Sequence, residues 1–401
     1  NSFNEDDTEP GGYFIINGLE KILRTIVVPR KNFPLAIKRG TFHNRRKNFS
    51  NCAVSIKSVN EAYRSQTFYL HYTFEGGIFM SIMIKKVEYI IPLGVIFKAL
   101  VDMSDKTLID VITEKESAFN GLQVIKDVHD RSLFSRQQCL VYLGFLMKEA
   151  IGQYGSSLSD EDLGKKFLDD FVLINLSEGW EKCSLLGFMV HKLWRLVQDE
   201  ILPDNLDSLI TQELLTSGTL YGSFLREKLE EYLATVRILF SKEMRRNSNN
   251  ERSDSSSKEK LFMEMLDKCL RLNIDFIGKR IEYLLATGNL KSTSGLDLMQ
   301  NNGYSIIAER LNNMRFWSHM RSVHRGAYFV EMKTTQVRKL LPENWGFMCP
   351  VHTSDGGLCG LLNHLSMGCW IQPPDSRSYQ QKNILAHRFF WIVSRSQCYR
   401  T

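Results

Sequence analysis

The N-terminal part of the chain shows apolar and polar positions that alternate with the period of a β-strand. In residues 67–84, four apolar side chains share one face before a Glu75-Gly76-Gly77 turn, and four more share one face after it: Phe68, Leu70, Tyr72 and Phe74, then Ile78, Met80, Ile82 and Ile84. A period of two interrupted by a glycine turn predicts a hairpin with one buried face. Residues 13–28, rich in β-branched and aromatic side chains around Asn17-Gly18, predict another hairpin.

From about residue 137 to 246 the spacing of apolar positions changes to that of a helix. Residues 185–201 place these side chains on one stripe: Leu186, Met189, Val190, Leu193, Trp194, Val197 and Ile201. Such a stripe predicts an amphipathic helix. The polar stretch 247–258 predicts a loop, and 259–286 predicts a further helix. The pattern therefore divides the chain into a β-rich part, a mostly helical part and a distinct C-terminal third.

Composition is that of a globular protein with about two to three domains. The 401 residues are 43% hydrophobic and 24% charged, and the formal net charge is +6. The most apolar run, 89–101, contains Pro92 and Lys98 and is shorter than the roughly 20 residues that span a bilayer, so we expect no transmembrane segment. The acidic opening without an initiator Met leads us to expect a piece of a longer chain.

The eight cysteines are scattered, and no two form a Cys-x-x-Cys pair. This usage predicts reduced thiols in an intracellular protein. The stretch "GFMCPVHTSDGGLCGLLNH" combines Cys349, His352, Cys359 and His364. These could be two zinc-ligand pairs, but the spacer "TSDGGL" is shorter than the usual dozen or so residues. Because the two pairs themselves have suitable spacing, a zinc-dependent nucleic-acid-binding module stays open as an alternative. A pure interaction protein is a further alternative.

Positive charge is concentrated in residues 310–339. This stretch holds seven Lys and Arg residues against Glu331, so its charge equals that of the whole chain. Guanidinium groups interleaved with aromatic rings suit phosphate contacts and base stacking, although a solvated basic helix over core aromatics is the alternative. The irregular spacing favours a loop or strand pair over one helix. The candidate nucleic-acid-binding residues are Arg315, His319, Arg321, His324, Arg325, Lys333 and Arg338.

Several catalytic signatures do not occur in the sequence. It contains no phosphate-binding loop of the Gly-x-x-x-x-Gly-Lys-Ser/Thr type, no Gly-x-Ser-x-Gly elbow, and no tight group of three Asp or Glu at alternating spacing. Such a group of carboxylates is what holds the metal ions of nucleotidyl transfer. We therefore predict no catalytic residue and no metal ligand in this chain. If it serves such chemistry, the ligands come from elsewhere.

Three motifs resemble those of one family in order and separation. "WGFMCPVHTSDGGLCGLLNHL" resembles the Trp/Tyr-Gly-x-x-Cys-Pro-x-x-Thr-Pro-Asp/Glu-Gly signature of the second-largest subunit of multisubunit DNA-directed RNA polymerases. "GGYFIINGLEKIL" looks like its Gly-Tyr-Phe-Ile-Ile-Asn-Gly-x-Glu-Lys signature, and "LLATGNL" resembles the start of its fork region. The likeness covers roughly residues 11–372. Residues 294–353 look most like the RNA polymerase I members of the family.

The resemblance implies an α+β, multidomain fold of mixed β-rich and helical modules. The modules would be a protrusion (1–44 and 216–280), a lobe (45–215), a fork (281–372) and a divergent tail (373–401). It also implies a nucleotidyltransferase subunit that lines the DNA/RNA cleft in transcription of ribosomal RNA genes, and that is inactive alone. The implied partners are the largest subunit, which supplies the Mg²⁺ site, other polymerase subunits, DNA template and RNA–DNA hybrid, with no membrane. The implied location is the nucleus and nucleolus.

The resemblance also assigns roles to individual residues. Residues 318–328 would form the fork loop, with Arg321 and Arg325 as phosphate contacts. An active-centre-proximal turn would contain Pro350, Thr353, Asp355 and Gly356, with Asp355 positioning rather than catalytic, and Cys349 and Cys359 would be packing residues. Ser354 stands where the family has Pro, which we expect to loosen the turn by up to about 1 kcal/mol.

Overall fold

The structure is a computed structural model. It describes residue 9 and residues 11–45, 48–61, 64–85, 87–113, 118–151, 159–247, 255–271, 274–292, 296, 298, 300–332 and 334–371. The predicted divergent tail and Lys333 therefore lie outside the described residues. The chain divides into two compact units. Unit 1 comprises the described residues of Asn1–Pro29 and Asp207–Cys369, and unit 2 comprises those of Arg30–Leu206 and Trp370–Thr401. The module boundaries drawn from the resemblance stay a prediction.

The described strands and helices, in chain order, confirm an α+β fold. The strands are β1 (Phe14–Ile16), β2 (Leu19–Leu23), β3 (Thr25–Pro29), β4 (Leu35–Lys38), β5 (Phe49–Val59), β6 (Ser65–Thr73), β7 (Ile78–Ile84), β8 (Val87–Pro92), β9 (Gln212–Leu215), β10 (Ser305–Ile307), β11 (Ser322–His324), β12 (Met348–Thr353) and β13 (Leu362–Leu365). The helices are α1 (Thr41–Arg45), α2 (Leu93–Leu100), α3 (Asp105–Thr113), α4 (Ala118–His129), α5 (Arg136–Ile151), α6 (Asp160–Asp170), α7 (Gly179–Val197), α8 (Ser217–Asn247), α9 (Ser255–Arg271), α10 (Phe276–Thr287) and α11 (Asn313–Met320).

Unit 2 is built on an antiparallel sheet with the order β4-β5-β6-β7-β8 among the described residues. The hairpin predicted for 67–84 is confirmed, because β6 pairs with β7 in a register that sets Phe68 opposite Ile82. Phe68, Leu70, Ile78, Met80 and Ile82 are all buried. Phe74 was predicted on the same face and is exposed, because it follows the last residue of β6 and lies in the turn.

Helices cover this sheet in unit 2 and share its core. All eight residues of α2 are buried. The stripe predicted for residues 185–201 is confirmed as far as Val197, where α7 ends, and Ile201 lies beyond the helix. Leu186, Met189, Val190 and Leu193 of this stripe are buried. None of the described helices is long and apolar enough to cross a membrane.

Unit 1 contains the second predicted hairpin, which the structure confirms. β1 pairs with β2, and Asn17 and Gly18 between them both have positive φ, as a type I′ turn requires. A further sheet in the described part of unit 1 has the order β12-β13-β11-β3-β9. Its strand β9 lies in the region predicted to be helical. That prediction is wrong locally, because residues 212–215 pair with β3, a long-range contact that local periodicity does not reveal.

Helices α8, α9 and α10 correct two further predictions. The predicted loop 247–258 is partly helical, since α8 ends at Asn247 and α9 begins at Ser255, while residues 248–254 lie outside the described part. The single helix predicted for 259–286 is two helices, α9 and α10, with Ile274 and Asp275 in a turn before α10. α9 packs on α8, with the Phe240 and Phe262 ring centroids 5.0 Å apart.

Candidate nucleic-acid interface

The residues whose irregular spacing predicted a loop or strand pair are divided in the structure. Arg315, Trp317 and His319 lie on helix α11, whereas Arg321 directly follows that helix and Arg325 directly follows strand β11. The Asn312 side-chain oxygen accepts a hydrogen bond from the backbone N–H of Arg315 at 2.7 Å, which caps the start of the helix. Phe316 is buried on one side of α11, and its ring meets Tyr13 edge to face. Arg315 and Trp317 are exposed on α11. The cap and the packing of Phe316 with Ile22 and Ala308 favour a helix here despite the irregular charge spacing.

Arg315 is exposed and has an exposed partner. Its Nε donates to Glu309 Oε2 at 2.8 Å, and both side chains are more than 40% accessible. The Arg315 hydrogen bond is the main cause that lowers the pKa of Glu309. Exposed ion pairs contribute little net stability. Arg315 can therefore exchange this carboxylate for a phosphate at small cost.

Arg321 and Arg325 are used inside unit 1. Arg321 Nη2 donates to the carbonyl oxygen of Ser366. Arg325 Nη2 forms an ion pair with Asp207, and its guanidinium lies over the Phe329 ring, 5.1 Å from the centroid. The side chain of Arg325 is only 13% accessible. Both predicted phosphate contacts thus hold folded elements together in this structure.

His319 and His324 are largely shielded from solvent and favour the neutral form. Burial, and then the charge of Arg24, lowers the pKa of His324 from 6.5 to about 4. His324 Nδ1 accepts a hydrogen bond from the N–H of Gly326 at 2.8 Å, which requires that this nitrogen carry no proton. Burial also lowers the pKa of His319, followed by the charge of Arg315. Neither ring supplies a cation near neutral pH.

Arg338 is directed at the following turn. Its Nη1 donates to the carbonyl oxygens of Gly357 at 2.7 Å and Cys359 at 2.8 Å. Arg338 follows the buried Val337 in a short 3₁₀ helix, Gln336–Arg338. The next residue, Lys339, is exposed. The neighbouring cations therefore have different surroundings, which sequence spacing does not distinguish.

The residues predicted for the active-centre-proximal turn are divided between a strand and a connection. Pro350 and Thr353 belong to β12, whereas Asp355 and Gly356 lie between β12 and β13, which pair with each other. Thr353 Oγ1 accepts from the N–H of Gly360 at 3.0 Å and donates to the carbonyl of Leu362 at 2.8 Å. Asp355 and Pro350 are exposed. A short 3₁₀ helix, Gly356–Leu358, follows Asp355, whose side chain makes no capping hydrogen bond.

The two histidines of the possible zinc site face each other across β12 and β13. The rings of His352 and His364 are stacked with centroids 3.5 Å apart, and His364 Nδ1 lies 3.0 Å from the His352 carbonyl oxygen. Cys359 is exposed, so its interpretation as a packing residue is wrong; the turn after the 3₁₀ helix carries it to the surface. In the described ranges, no three His, Cys, Asp or Glu side chains are grouped so that they could hold a metal ion.

The structure adds residues that the sequence patterns did not indicate. Asp207 and Glu309 are the carboxylate partners of Arg325 and Arg315. Arg24 is partly buried, which lowers its pKa, and its charge acts on both His319 and His324. Asp207 and Arg24 act on residues far away in the sequence, so local pattern does not mark them, whereas Glu309 lies only six residues before Arg315. Trp345 is a further exposed aromatic side chain, 77% accessible. Its position in "NWGF", beside the basic stretch, is the sequence feature that could have indicated it.

Comparison with protein-family models identifies the class of protein to which this chain belongs. The family model described as RNA polymerase beta subunit matches residues 1–263, and the model described as RNA polymerase Rpb2, domain 3, matches residues 306–371. The chain belongs to the RNA polymerase beta subunit family, as its three motifs indicated.

Individual relatives narrow the likeness to RNA polymerase I. The chain is 42% identical over 373 residues to the probable DNA-directed RNA polymerase I subunit RPA2 of Schizosaccharomyces pombe, which covers 92% of this chain. It is 41% identical to subunit RPA135 of Saccharomyces cerevisiae over 93% of the chain, and 38% identical to human RPA2 over 92%. The chain spans only 31%, 31% and 32% of the length of these relatives.

Proposed function

We propose that this chain is part of the second-largest subunit of DNA-directed RNA polymerase I and lines the DNA/RNA cleft during transcription of ribosomal RNA genes. The observation that carries the proposal is the similarity to RNA polymerase I subunits along more than nine tenths of the chain. The partners are then the largest subunit, other polymerase subunits, template DNA and the RNA–DNA hybrid. The place of action is the nucleolus within the nucleus.

Chemistry in this proposal is divided between subunits. The largest subunit supplies the Mg²⁺ ligands for nucleotidyl transfer, and this chain supplies charge and shape. The described residues contain no grouping that fits such a metal. In this proposal the role of the chain is to hold phosphates and bases in place.

The nucleic-acid contact is best carried by the exposed side chains of α11. Arg315 offers a guanidinium. Trp317 offers an indole that is 51% accessible, but, two residues further along the helix, it projects from a different face and would make a separate contact. A cation and a flat ring suit one phosphate and one base. A phosphate would have to displace Glu309, at small cost because exposed ion pairs contribute little net stability.

A charge-removal experiment in the polymerase that contains this chain tests the contact. Arg315→Ala should reduce the slope of log K for DNA against log salt by about 0.9 if one phosphate contact is lost. Arg271→Ala is the matched control, because Arg271 is an exposed arginine on α9 whose Nε pairs with Asp267 at 2.9 Å. Equal slopes for wild type and Arg315→Ala would remove α11 from the interface.

Assembly is tested separately by affinity purification from cells. The chain should bring the largest polymerase subunit with it. Retrieval without that subunit would contradict the proposed function, whatever the behaviour of Arg315.

A further inference from the structure

The turn between β12 and β13 is held from two sides, by Arg338, which precedes β12, and by Thr353, the last residue of β12. On one side, Arg338 Nη1 donates to the carbonyls of Gly357 and Cys359. On the other, the Thr353 hydroxyl receives the N–H of Gly360 and donates to the carbonyl of Leu362. The backbone of residues 357–360 therefore lies between a guanidinium and a hydroxyl.

The backbone of Arg338 also leaves no room at Gly360. Gly360 has φ of +74°, and a Cβ placed there would lie 2.4 Å from the Arg338 carbonyl oxygen and 2.8 Å from the Arg338 Cβ. A side chain at this position would displace either the turn or the segment that carries Arg338. The close approach fixes the distance from which the guanidinium reaches the two carbonyls.

The hydrogen bonds of Arg338 favour a role as a brace, a side chain that fixes the turn, over a role in binding phosphate. Hydrogen bonds from a charged donor are roughly twice as strong as neutral ones, and both carbonyls accept from one nitrogen of Arg338. A phosphate would have to displace two bonds of 2.7 and 2.8 Å to recruit this group. Lys339, the adjacent cation, is exposed, so the sequence offers a neighbour of the same charge for comparison.

We propose that Arg338 is a positioning residue that fixes the turn from Asp355 to Gly360, and that it does not contact nucleic acid. Asp355 lies directly before the short helix Gly356–Leu358. Arg338 holds one carbonyl within that helix, that of Gly357, and the carbonyl of Cys359 directly after it, so we expect the orientation of the Asp355 carboxylate to depend on this contact. The consequence for nucleotide addition rests on the proposed function, in which this turn lies near the active centre. The brace itself does not depend on that assignment.

Hydrogen exchange in the complete chain tests the brace directly. Arg338→Met keeps the apolar stem and removes the donors. It should raise exchange at the amides of Cys359, Gly360 and Leu361 on the order of tenfold, since two hydrogen bonds to a charged group are lost. Lys339→Met removes the same charge one residue away and should leave these amides unchanged. Amides of β5 and β6 serve as the internal reference for global unfolding.

Variants at Thr353 test the same brace from the opposite side. Thr353→Val removes the acceptor of the Gly360 N–H and should raise exchange at Gly360, whereas Thr353→Ser keeps the hydroxyl and should behave as wild type. Unchanged exchange in a folded Arg338→Met variant would overturn the proposal, whatever the result for Thr353→Val. If Arg338→Met does not fold, Arg338→Lys supplies a shorter donor and should give an intermediate exchange rate.

Kinetics of the assembled polymerase separate positioning from phosphate contact. Arg338→Met should raise the KM for nucleotide severalfold and leave the salt slope of DNA binding unchanged, with partial recovery in Arg338→Lys. A slope reduced by about 0.9 would show a phosphate contact and overturn the proposal. Faster turn exchange with an unchanged nucleotide KM would overturn the link to nucleotide addition. Failure of the proposed function is read elsewhere, from Arg315→Ala and from co-purification.

Discussion

The hairpin β6–β7 of unit 2 and the segment from α11 to β13 of unit 1 are stabilised by different means. The hairpin buries one apolar face, with Phe68, Leu70 and Met80 fully inaccessible. The C-terminal segment contains few such side chains and depends on long polar ones that reach distant backbone. Arg321 holds Ser366, and Arg338 holds Gly357 and Cys359. A high density of arginine in a sequence therefore does not by itself mean a charged surface.

The largest expected effect lies in the apolar region. Phe68→Ala should lower the free energy of unfolding of unit 2 by about 3–5 kcal/mol, because it leaves a cavity in a closely packed core. Phe74→Ala, at an exposed position next to the same hairpin, should cost less than about 1 kcal/mol. Denaturant unfolding followed by circular dichroism measures both. Equal costs would contradict the assignment of the buried face.

The polar region should respond to pH through His324. Its folded-state pKa lies below the unfolded value, so the neutral ring contributes fully above about pH 6.5. Stability is then lost as pH falls from 6.5 towards 4. The loss should approach about 3 kcal/mol, since one pKa unit corresponds to about 1.4 kcal/mol. His319 and His364, whose pKa values are also lowered, act in the same direction.

The matched variant for this pH dependence is His324→Asn, because its side-chain oxygen can still accept from Gly326 and it does not titrate. Urea unfolding between pH 4 and 7 should show a shallower dependence in the variant. An identical dependence would mean that His324 does not control it.

Gly360→Ala should be the next largest change, with a cost of about 2 kcal/mol in unit 1. The positive φ is strained for alanine, and the added Cβ meets the Arg338 carbonyl. Gly346 has φ of +84° and no atom within 4 Å of an added Cβ, so Gly346→Ala isolates the backbone strain. The difference between the two variants in thermal unfolding reports the contact with Arg338. Equal costs would contradict it.

The smallest effect on stability should come from the exposed arginine. Arg315→Ala should cost less than about 1 kcal/mol, since exposed ion pairs contribute little. Arg325→Ala should cost more, by about 1–2 kcal/mol, because its pair with Asp207 is more shielded from water. Chemical denaturation of the two variants in parallel makes the comparison. A larger cost for Arg315→Ala than for Arg325→Ala would contradict the assignment of Arg325 as the more shielded and stabilising of the two.

Local pattern predicted the elements whose stability is local. Turn chemistry and hydrophobic period follow from residues close together in the sequence. They therefore predicted the Asn17-Gly18 hairpin, the β6–β7 hairpin and the apolar stripe of α7. Local pattern did not predict β9, because its pairing with the distant strand β3 overrides helical periodicity. It also did not predict the break between α9 and α10, where a short turn interrupts that periodicity. The family motifs identified the class of protein from residues close in sequence.

The sequence by itself determined which residues could bind nucleic acid: it concentrated cations and aromatic rings within residues 310–339. Only the tertiary structure decided which of these face solvent. Arg315 is exposed on α11, while Arg321, Arg325 and Arg338 find carbonyl or carboxylate partners distant along the chain. The physical reason is that folding brings carbonyl and carboxylate groups that are distant in sequence within reach of these long side chains.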